Sequence, residues 1–421
     1  MSDSTMPAGT APAATPAVSP VSTASANNTT FAVILSLSFC HLLNDMMQSL
    51  VPALYPILKE NYALSFGQVG LITLAFQCTA SMLQPLVGLY TDKKPQPYSL
   101  MVGMGFTLVG LLLMSRADSY PMILIAAALI GMGSSVFHPE ASRVARMASG
   151  GRYGLAQSLF QVGGNMGSAA GPLLAAFIVV PHGQHSIVWF SAAALVAMLV
   201  LFQVGGWYGR RRAEQKPAVR KAATSAAVPA VSRRRVAVAV AILVALLFSK
   251  NVYSASLGSY FTLYLMARFG IDVATAQLYL FAFLVGIVGG TIAGGAVGDR
   301  VGRIPVMWFS ILGALPFALM LPYANLFWTG VLAVAVAMIM ASAFSAILVY
   351  AQELMPGRVG LVAGMFFGFS FGLGGLGAAA LGELADWTSI ETVYKVTPFL
   401  LLLGILTAFL PRQPGEPRNT R

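Results

Sequence analysis

Leu278-Tyr-Leu-Phe-Ala-Phe-Leu-Val-Gly-Ile-Val-Gly-Gly-Thr-Ile-Ala-Gly-Gly295-Ala-Val-Gly-Asp299-Arg300-Val-Gly302-Arg303 is an uncharged run that ends in one acid and two arginines. Hydrocarbon offers backbone amides no hydrogen-bond partner, so a run of about 20 apolar residues crosses a bilayer as a helix that pairs its amides internally. The charges mark where this helix leaves lipid. The same ending occurs 207 positions earlier, where Gly88-Leu-Tyr-Thr-Asp92 closes another apolar run. A membrane helix that recurs at such a distance predicts a chain built from two similar halves.

Read outward from that stretch, the pattern predicts twelve spans: 31–57, 67–90, 97–115, 120–146, 153–180, 186–208, 236–267, 274–297, 304–323, 326–354, 358–382 and 391–410. Only 9% of the 421 residues are charged and 57% are hydrophobic, whereas a soluble chain carries roughly 25% charge. The fold class expected is therefore all-α and integral to the membrane. Basic residues alternate sides. The even loops and the C-terminal end carry 20 of the 25 Lys and Arg, the odd loops carry 4, and Lys250 falls inside a span. Basic loops stay in the cytoplasm, so both termini are expected inside and the helix count is even. The net charge of +11 is thus spread around one membrane face and reports topology, not nucleic-acid binding.

Residues 1–30, rich in Ala, Pro, Ser and Thr, read as a disordered tail. No basic segment precedes the first apolar run, so they are not a signal peptide. Residues 31–208 and 236–410 form six-helix halves, 209–235 a basic cytoplasmic linker, and 411–421 a C-terminal tail. The halves echo each other beyond the loop ending. Arg152-Tyr-Gly154-Leu155 opens span 5 and Arg358-Val-Gly360-Leu361 opens span 11; Phe39-Cys-His41 matches Phe248-Ser-Lys250, and Tyr55 matches Tyr264. Cys40 and Cys78 both lie in apolar spans, which argues against a disulfide framework or a zinc site.

Two parallel six-helix repeats joined by a central loop resemble the major facilitator superfamily, whose substrate site lies between halves that rock around it. Gly295-x-x-x-Asp299-Arg300-x-Gly302-Arg303 is similar to that family's loop motif. The resemblance implies a latch that stabilises one access state. In the first half Gly88 and Asp92 remain, but Lys93 replaces arginine and Pro95-Gln96 stand where Gly-Arg would be. Gly163-x-x-x-Gly167-x-x-x-Gly171-Pro172 resembles the antiporter motif of drug exporters, with Ala175-Ala176 where glycines usually end it. Small residues four apart also make a groove for close helix packing. Gly360, Gly364, Gly368 and Gly372 on span 11 are read as its packing counterpart.

A narrower resemblance covers about residues 31–410. His41-Leu-Leu-Asn44-Asp45-Met-Met-Gln48-Ser49, Ser134-Ser-Val-Phe-His138-Pro139-Glu140-Ala-Ser-Arg143, Gln161-Val-Gly-Gly-Asn165 and Ser342-Ala-Phe-Ser-Ala-Ile-Leu-Val-Tyr350-Ala-Gln352-Glu353 are similar to the fosmidomycin-resistance branch of that superfamily. This resemblance implies a bacterial inner-membrane antiporter that uses the proton gradient, and no cofactor, to expel a small anionic phosphonate drug. The partners expected are that anion, protons and the lipid bilayer, with the monomer as the working unit.

An ionisable side chain in hydrocarbon costs at least about 2.5–3.5 kcal/mol, so such residues face a cavity or a partner. His41 lies roughly 15 Å into span 1 at 1.5 Å per residue, and Asp45, four residues on, shares its face. Lys250 is the repeat partner of His41 and is expected across the same cavity. Asp45 is read as the proton carrier, with His41 sharing or modulating the proton, and Lys250 as the group that attracts an anion. The competing reading is a structural Asp45–Lys250 or Asp45–His41 pair that staples the halves. Arg143 with Glu140, together with His138, Asn44, Gln48, Gln161 and Asn165, complete the expected substrate-facing set. Pro139 predicts a kink, Arg146 an interfacial position, and Glu353 a partner for Arg358. Tyr253, Tyr260 and Tyr350 are candidates to line the path.

Gly372-x-Gly374-x-x-Gly377 lacks the preceding strand of a dinucleotide site, and no phosphate-binding loop for ATP occurs. His138-x-Glu140 has no Cys-x-x-Cys to complete a deaminase-type zinc site. The four histidines show no metal-ligand spacing, so no metal is expected. Three other activities compete with drug export: carriage of a sugar or other metabolite on the same fold, an integral-membrane enzyme, and a passive channel. An enzyme would need a clustered nucleophile, metal set or cofactor lysine, and no such set is visible.

Overall fold

The computed structural model describes residues 29–411, except 55–56, 59–60, 65 and 223–231. Tyr55, the N-terminal tail through residue 28, residues 223–231 of the linker and the tail from residue 412 lie outside the described residues. Among the described residues every regular element is helical. The twelve crossings are α1 (Phe31–Ala53), α2 (66–93), α3 (Ser99–Ser115), α4 (Tyr120–Ala148), α5 (153–182), α6 (Phe190–Ala222), α7 (Arg233–Phe269), α8 (Val273–Val301), α9 (Arg303–Tyr323), α10 (Leu326–Leu354), α11 (Val359–Trp387) and α12 (Ile390–Phe409). Ten are long and apolar enough to span a bilayer; α3, with 17 residues, and the more polar opening of α5, Tyr153–Leu174, with 22, complete the set.

Local chemistry sets several ends. Asp272 accepts from Thr275 N at 2.9 Å at the start of α8, Asn325 from Trp328 N at 3.0 Å at α10, and Ser389 from Thr392 N at 3.1 Å at α12. Each satisfies an amide that the first helical turn leaves without a partner. Gly302 joins α8 to α9 at φ 95°, a conformation that favours glycine. Pro139 lies inside the α4 helix, which continues past it to Ala148. The expected linker 209–235 is also shorter than its charge suggests. Helix α6 continues to Ala222, and α7 already begins at Arg233. Arg, Ala, Gln and Lys are strong helix formers, and Arg211 pairs with Glu214 at 3.6 Å along this extension.

The halves meet along α2–α11 and α5–α8, with α4 and α10 completing the seam. Glycines permit the approach. A Cβ on Gly88 of α2 would overlap the Gly360 carbonyl of α11, and one on Gly295 of α8 would overlap Ser158 and the Gly154 carbonyl of α5. Further along α11, a Cβ on Gly364 would overlap the Gln84 carbonyl, and one on Gly368 would lie 2.8 Å from the Ser81 carbonyl. One turn later, on the same face, Gly372 has nothing within 4 Å. The expectation that Gly372 packs is therefore corrected: the close approach of α11 to α2 runs from Gly360 to Gly368, and Gly372 stands clear of it. A second correction concerns the glycine stripes. Gly163, Gly167 and Gly171 press on Ser38, Leu42 and Ser49 of α1, inside their own half, whereas Gly364 and Gly368 press on α2 of the other half and Gly360 on Arg143 of α4 and Gly88 of α2. The two stripes occupy different helix faces and are not counterparts. The side chain of Pro172 lies outside the described ones.

Candidate functional site

Three ionisable groups meet in the first half. His41 and Asp45 stand one turn apart on α1, and α4 carries His138 to them. His41 Nε2 lies 3.3 Å from Asp45 Oδ2, His138 Nε2 lies 3.4 Å from Asp45 Oδ1, and the two Nε2 atoms are 3.2 Å apart. Gly164 of α5 makes room: a Cβ there would sit 2.5 Å from the His41 ring and 2.8 Å from Asp45 Oδ2. Both histidines are fully buried, and Asp45 is 6% exposed.

His41 Nδ1 donates to the Phe160 carbonyl at 2.8 Å, which leaves Nε2 of the neutral ring an acceptor. His138 Nδ1 lies 3.1 Å from the Ser134 carbonyl, which only accepts, and 3.1 Å from the Ser134 hydroxyl, which can donate, so the neutral His138 ring can carry its proton on either nitrogen. With the proton on Nε2, His138 faces two acceptors, His41 Nε2 at 3.2 Å and Asp45 Oδ1 at 3.4 Å. A further proton on either ring gives a positive charge that the Asp45 carboxylate stabilises. Asn44 Nδ2 and Gln48 Nε2 donate to Asp45 Oδ1 at 3.0 and 3.5 Å. The donor atoms of this trio all lie within 4.8 Å of one another, so the trio could also hold a metal ion. That corrects the expectation that the histidines do not cluster. His138 is 97 positions from His41, and spacing along one chain cannot report a meeting of two helices.

An aromatic layer covers the trio. His41 stacks on Phe160 with centroids 4.1 Å apart, and Phe367, from α11 of the other half, lies 5.0 Å from His138 and 6.5 Å from His41. Phe344 of α10 lies 5.1 Å from Phe367, and the Lys250 ammonium sits 5.6 Å from the Phe344 ring centroid. Lys250 thus approaches the first half through two rings. Of the two structural pairs, Asp45–His41 is formed, within the first half, and Asp45–Lys250 is not; the Lys250 ammonium rests on an aromatic face, an attractive arrangement. Gln161 and Asn165 of α5 do reach the seam: Gln161 Nε2 donates to Asn165 Oδ1, and Asn165 Nδ2 to Thr291 Oγ1 of α8, each at 3.3 Å.

Arg143 and Glu140, expected at the substrate, lie elsewhere. Arg143 Nη1 meets Glu140 Oε1 at 2.6 Å, while Nη2 meets Asp92 Oδ1 at 2.6 Å and Thr91 Oγ1 at 3.0 Å. Asp92 in turn accepts from Gly360 N at 3.0 Å and Leu361 N at 2.8 Å, the first amides of α11 in the opposite half. The second half mirrors this. Asp299 accepts from Gly154 N at 2.9 Å and Leu155 N at 2.8 Å, at the start of α5, and Arg303 holds it at 2.8 Å. Arg303 also meets Glu353 at 3.6 Å, so the ion pair that Glu353 makes is with Arg303 where the sequence predicts Arg358. Each aspartate caps a helix of the other half, where the positive end of the helix dipole favours an anion. The first-half motif lost its arginine from the loop, and α4 supplies Arg143 in its place. Arg300 is exposed and stands outside these contacts.

The seam above the latches is polar. Gln352 Nε2 donates to Ser142 Oγ at 3.1 Å, Arg146 Nη1 to Gln352 Oε1 at 3.3 Å, and Ser158 Oγ to Ser345 Oγ at 2.9 Å. Arg146 is therefore a seam residue, with its guanidinium 4.0 Å from the Tyr153 ring centroid, and not an interfacial one. Tyr260 donates to the Ala378 carbonyl at 2.7 Å, and Tyr350 to the Pro411 carbonyl at 2.5 Å, which ties Tyr350 to the end of α12 and away from the trio.

Comparison with known proteins agrees with this architecture. The family model described as Major Facilitator Superfamily matches residues 37–378. The chain is 58% identical to the fosmidomycin resistance protein of Escherichia coli (strain K12) over 385 residues, covering 91% of this chain and 93% of that one. It is 40% identical to the uncharacterized MFS-type transporter YfnC of Bacillus subtilis (strain 168), again covering 91% and 93%. In fold it is similar to the transporter FucP in the outward conformation, with TM-score 0.70 and 16% identity over 91% of this chain and 99% of that one. It is also similar to the proton:xylose symporter XylE, with TM-score 0.67 and 15% identity over 90% and 96%.

Proposed function

Because the chain belongs to the Major Facilitator Superfamily, a family of membrane transporters and not enzymes, we propose that it is a proton-coupled antiporter that expels fosmidomycin-like phosphonates or related small anionic drugs. The observation that carries the proton half is the facing pair of Nε2 atoms beside Asp45. Two imidazoles and a carboxylate in mutual contact within an apolar bundle can hold and pass a proton, and a proton is the cation the membrane gradient supplies. The drug half rests on Lys250, whose ammonium lies 5.6 Å from the Phe344 ring centroid at the edge of that layer, and on the name of the 58% identical relative.

The transport cycle follows from the contacts. The face that carries the latches is also the face that carries the basic loops, so it is cytoplasmic by the positive-inside rule. With both latches closed and Gly372 already clear of α2, the trio is approached from the outer side in this state. A proton entering there loads the trio. Release of the latches lets the halves rock, opens the trio and Lys250 to the cytoplasm, and exchanges proton for drug. Bare Coulomb attraction between a proton and an anion favours cotransport, so exchange requires opposition carried by the packing of Phe344 and Phe367 between the two sites. Each elementary charge moved gains about 2.3 kcal/mol per 100 mV.

Everted vesicles test this reading. With a preset pH gradient, added fosmidomycin dissipates the gradient in vesicles holding the native protein and leaves it standing with Asp45→Asn. A gradient indifferent to the drug in native vesicles refutes proton exchange. If a sugar or another metabolite dissipates it and fosmidomycin does not, the carrier reading stands with a different cargo.

A further inference from the structure

Two apolar grooves lie on the outside of the bundle at the basic face, and the repeat relates them. One, of about 550 Å³, runs between α2, α3 and α4 and is lined by Leu86, Tyr90, Tyr98 and Val102. The other, of about 500 Å³, runs between α8, α9 and α10 and is lined by Ala293, Val297, Pro305 and Phe309, each 207 positions after its partner. The walls match in shape and differ in charge. Beside the first groove stand exposed Lys93 and Lys94, and Arg212 of α6 donates to the Pro95 carbonyl at 3.1 Å, which fixes its guanidinium over the same loop. The nearest acid in sequence, Asp92, is turned inward to Arg143 and α11. Beside the second groove, Arg303 is held by Asp299 and Glu353, which leaves Arg300 exposed at the surface. Tyr90 and Tyr98 replace Val297 and Pro305, and tyrosine is the residue that settles at the level of lipid headgroups.

We propose that the α2–α3–α4 groove is a binding site for one anionic phospholipid, with an acyl chain in the groove and the phosphate held by Lys93, Lys94 and Arg212. This gives the basic residues of the altered first-half motif a role that the latch does not use, and it is independent of what the protein carries. Basic clusters between transmembrane helices at an anionic leaflet recognise such headgroups, each cation contributing roughly fivefold in affinity. The twin groove accepts an acyl chain with little regard for the headgroup and serves as an internal control.

The test uses the purified full-length chain in detergent, with dioleoyl phosphatidylglycerol and dioleoyl phosphatidylethanolamine as probes and native mass spectrometry as the readout. The native protein retains the anionic lipid in preference. The variant Lys93→Ala/Lys94→Ala loses more than about tenfold of that preference while still binding the zwitterionic lipid. Arg300→Ala leaves the preference unchanged. Val102→Trp, or the more exposed Leu86→Trp if the first lowers the melting temperature, fills the groove and removes the preference. Full preference in the double lysine variant, or in both groove-filling variants, overturns the site. So does soluble glycerol phosphate competing as well as the intact lipid, because the groove would then contribute nothing.

Discussion

Neutralising the two latch aspartates, Asp92→Asn and Asp299→Asn, perturbs the closed face while leaving the helices intact. Each carboxylate accepts two amides at 2.8–3.0 Å at the start of a helix in the opposite half. A charge in a partly buried position at a helix N-terminus contributes up to about 2 kcal/mol. Asparagine keeps one acceptor oxygen but no charge, so each variant is expected to lose about 1–2 kcal/mol from the closed state. The two losses differ in their remainder. Arg143 retains the Glu140 carboxylate at 2.6 Å after Asp92→Asn, whereas the carboxylate that remains beside Arg303 after Asp299→Asn is the more distant Glu353 at 3.6 Å, together with the Gly298 carbonyl. Asp299→Asn is therefore the more damaging. Because these contacts cross the seam, the loss falls on the ratio of closed to open, and 2 kcal/mol shifts it roughly thirtyfold. Spin labels at exposed positions 94 and 300 report the distance between the halves by pulsed electron resonance. The double variant is expected to populate a longer distance. An unchanged distribution in the double variant refutes the latch reasoning.

Three further outcomes follow from the same contacts. His138→Gln removes one partner of the charged trio, worth about 1.5–3 kcal/mol for a hydrogen bond to a charge, and drug-driven proton flux in everted vesicles should fall at least about tenfold; undiminished flux removes His138 from the coupling site. Phe367→Asn wets the aromatic layer over the histidines and should let an imposed pH gradient collapse without drug, whereas Phe367→Leu keeps the layer dry and tight; equal leak rates for the two variants exclude a sealing role. Gly88→Ala collides with the Gly360 carbonyl and should cost about 1–3 kcal/mol of closed state, while Gly372→Ala, with open space around it, should stay within about 0.5 kcal/mol; the same spin-label distance separates them.

Much of the architecture is legible in the sequence because lipid imposes a coarse rule. The stretch ending in Asp299-Arg300 announces both a span and its repeat, and alternating basic loops divide the faces. The pairing of His41 with Asp45 is legible as well, since one helical turn fixes their common face. Contacts between helices are not. Nothing in 97 intervening positions indicates that His138 completes the trio, although an ionisable ring in an apolar span marked it as a candidate. Arg143 illustrates the opposite error. Its pairing with Glu140 inside an apolar span suggested the cavity, but the motif loop lacks an arginine, and that gap was the available sign that Asp92 needs a cation from elsewhere. The glycine stripes fail for a related reason: spacing reports that a face is flat, not which neighbour lies against it.

The central claim is that His41, Asp45 and His138 hold the proton that the drug displaces. Coupling between two ligands is reciprocal, so drug binding must expel that proton. Fosmidomycin added to purified protein in weakly buffered detergent solution should release protons in proportion to the drug bound, and Asp45→Asn should bind drug without that release. Drug binding to the native protein with no proton released, or equal release from Asp45→Asn, contradicts the account.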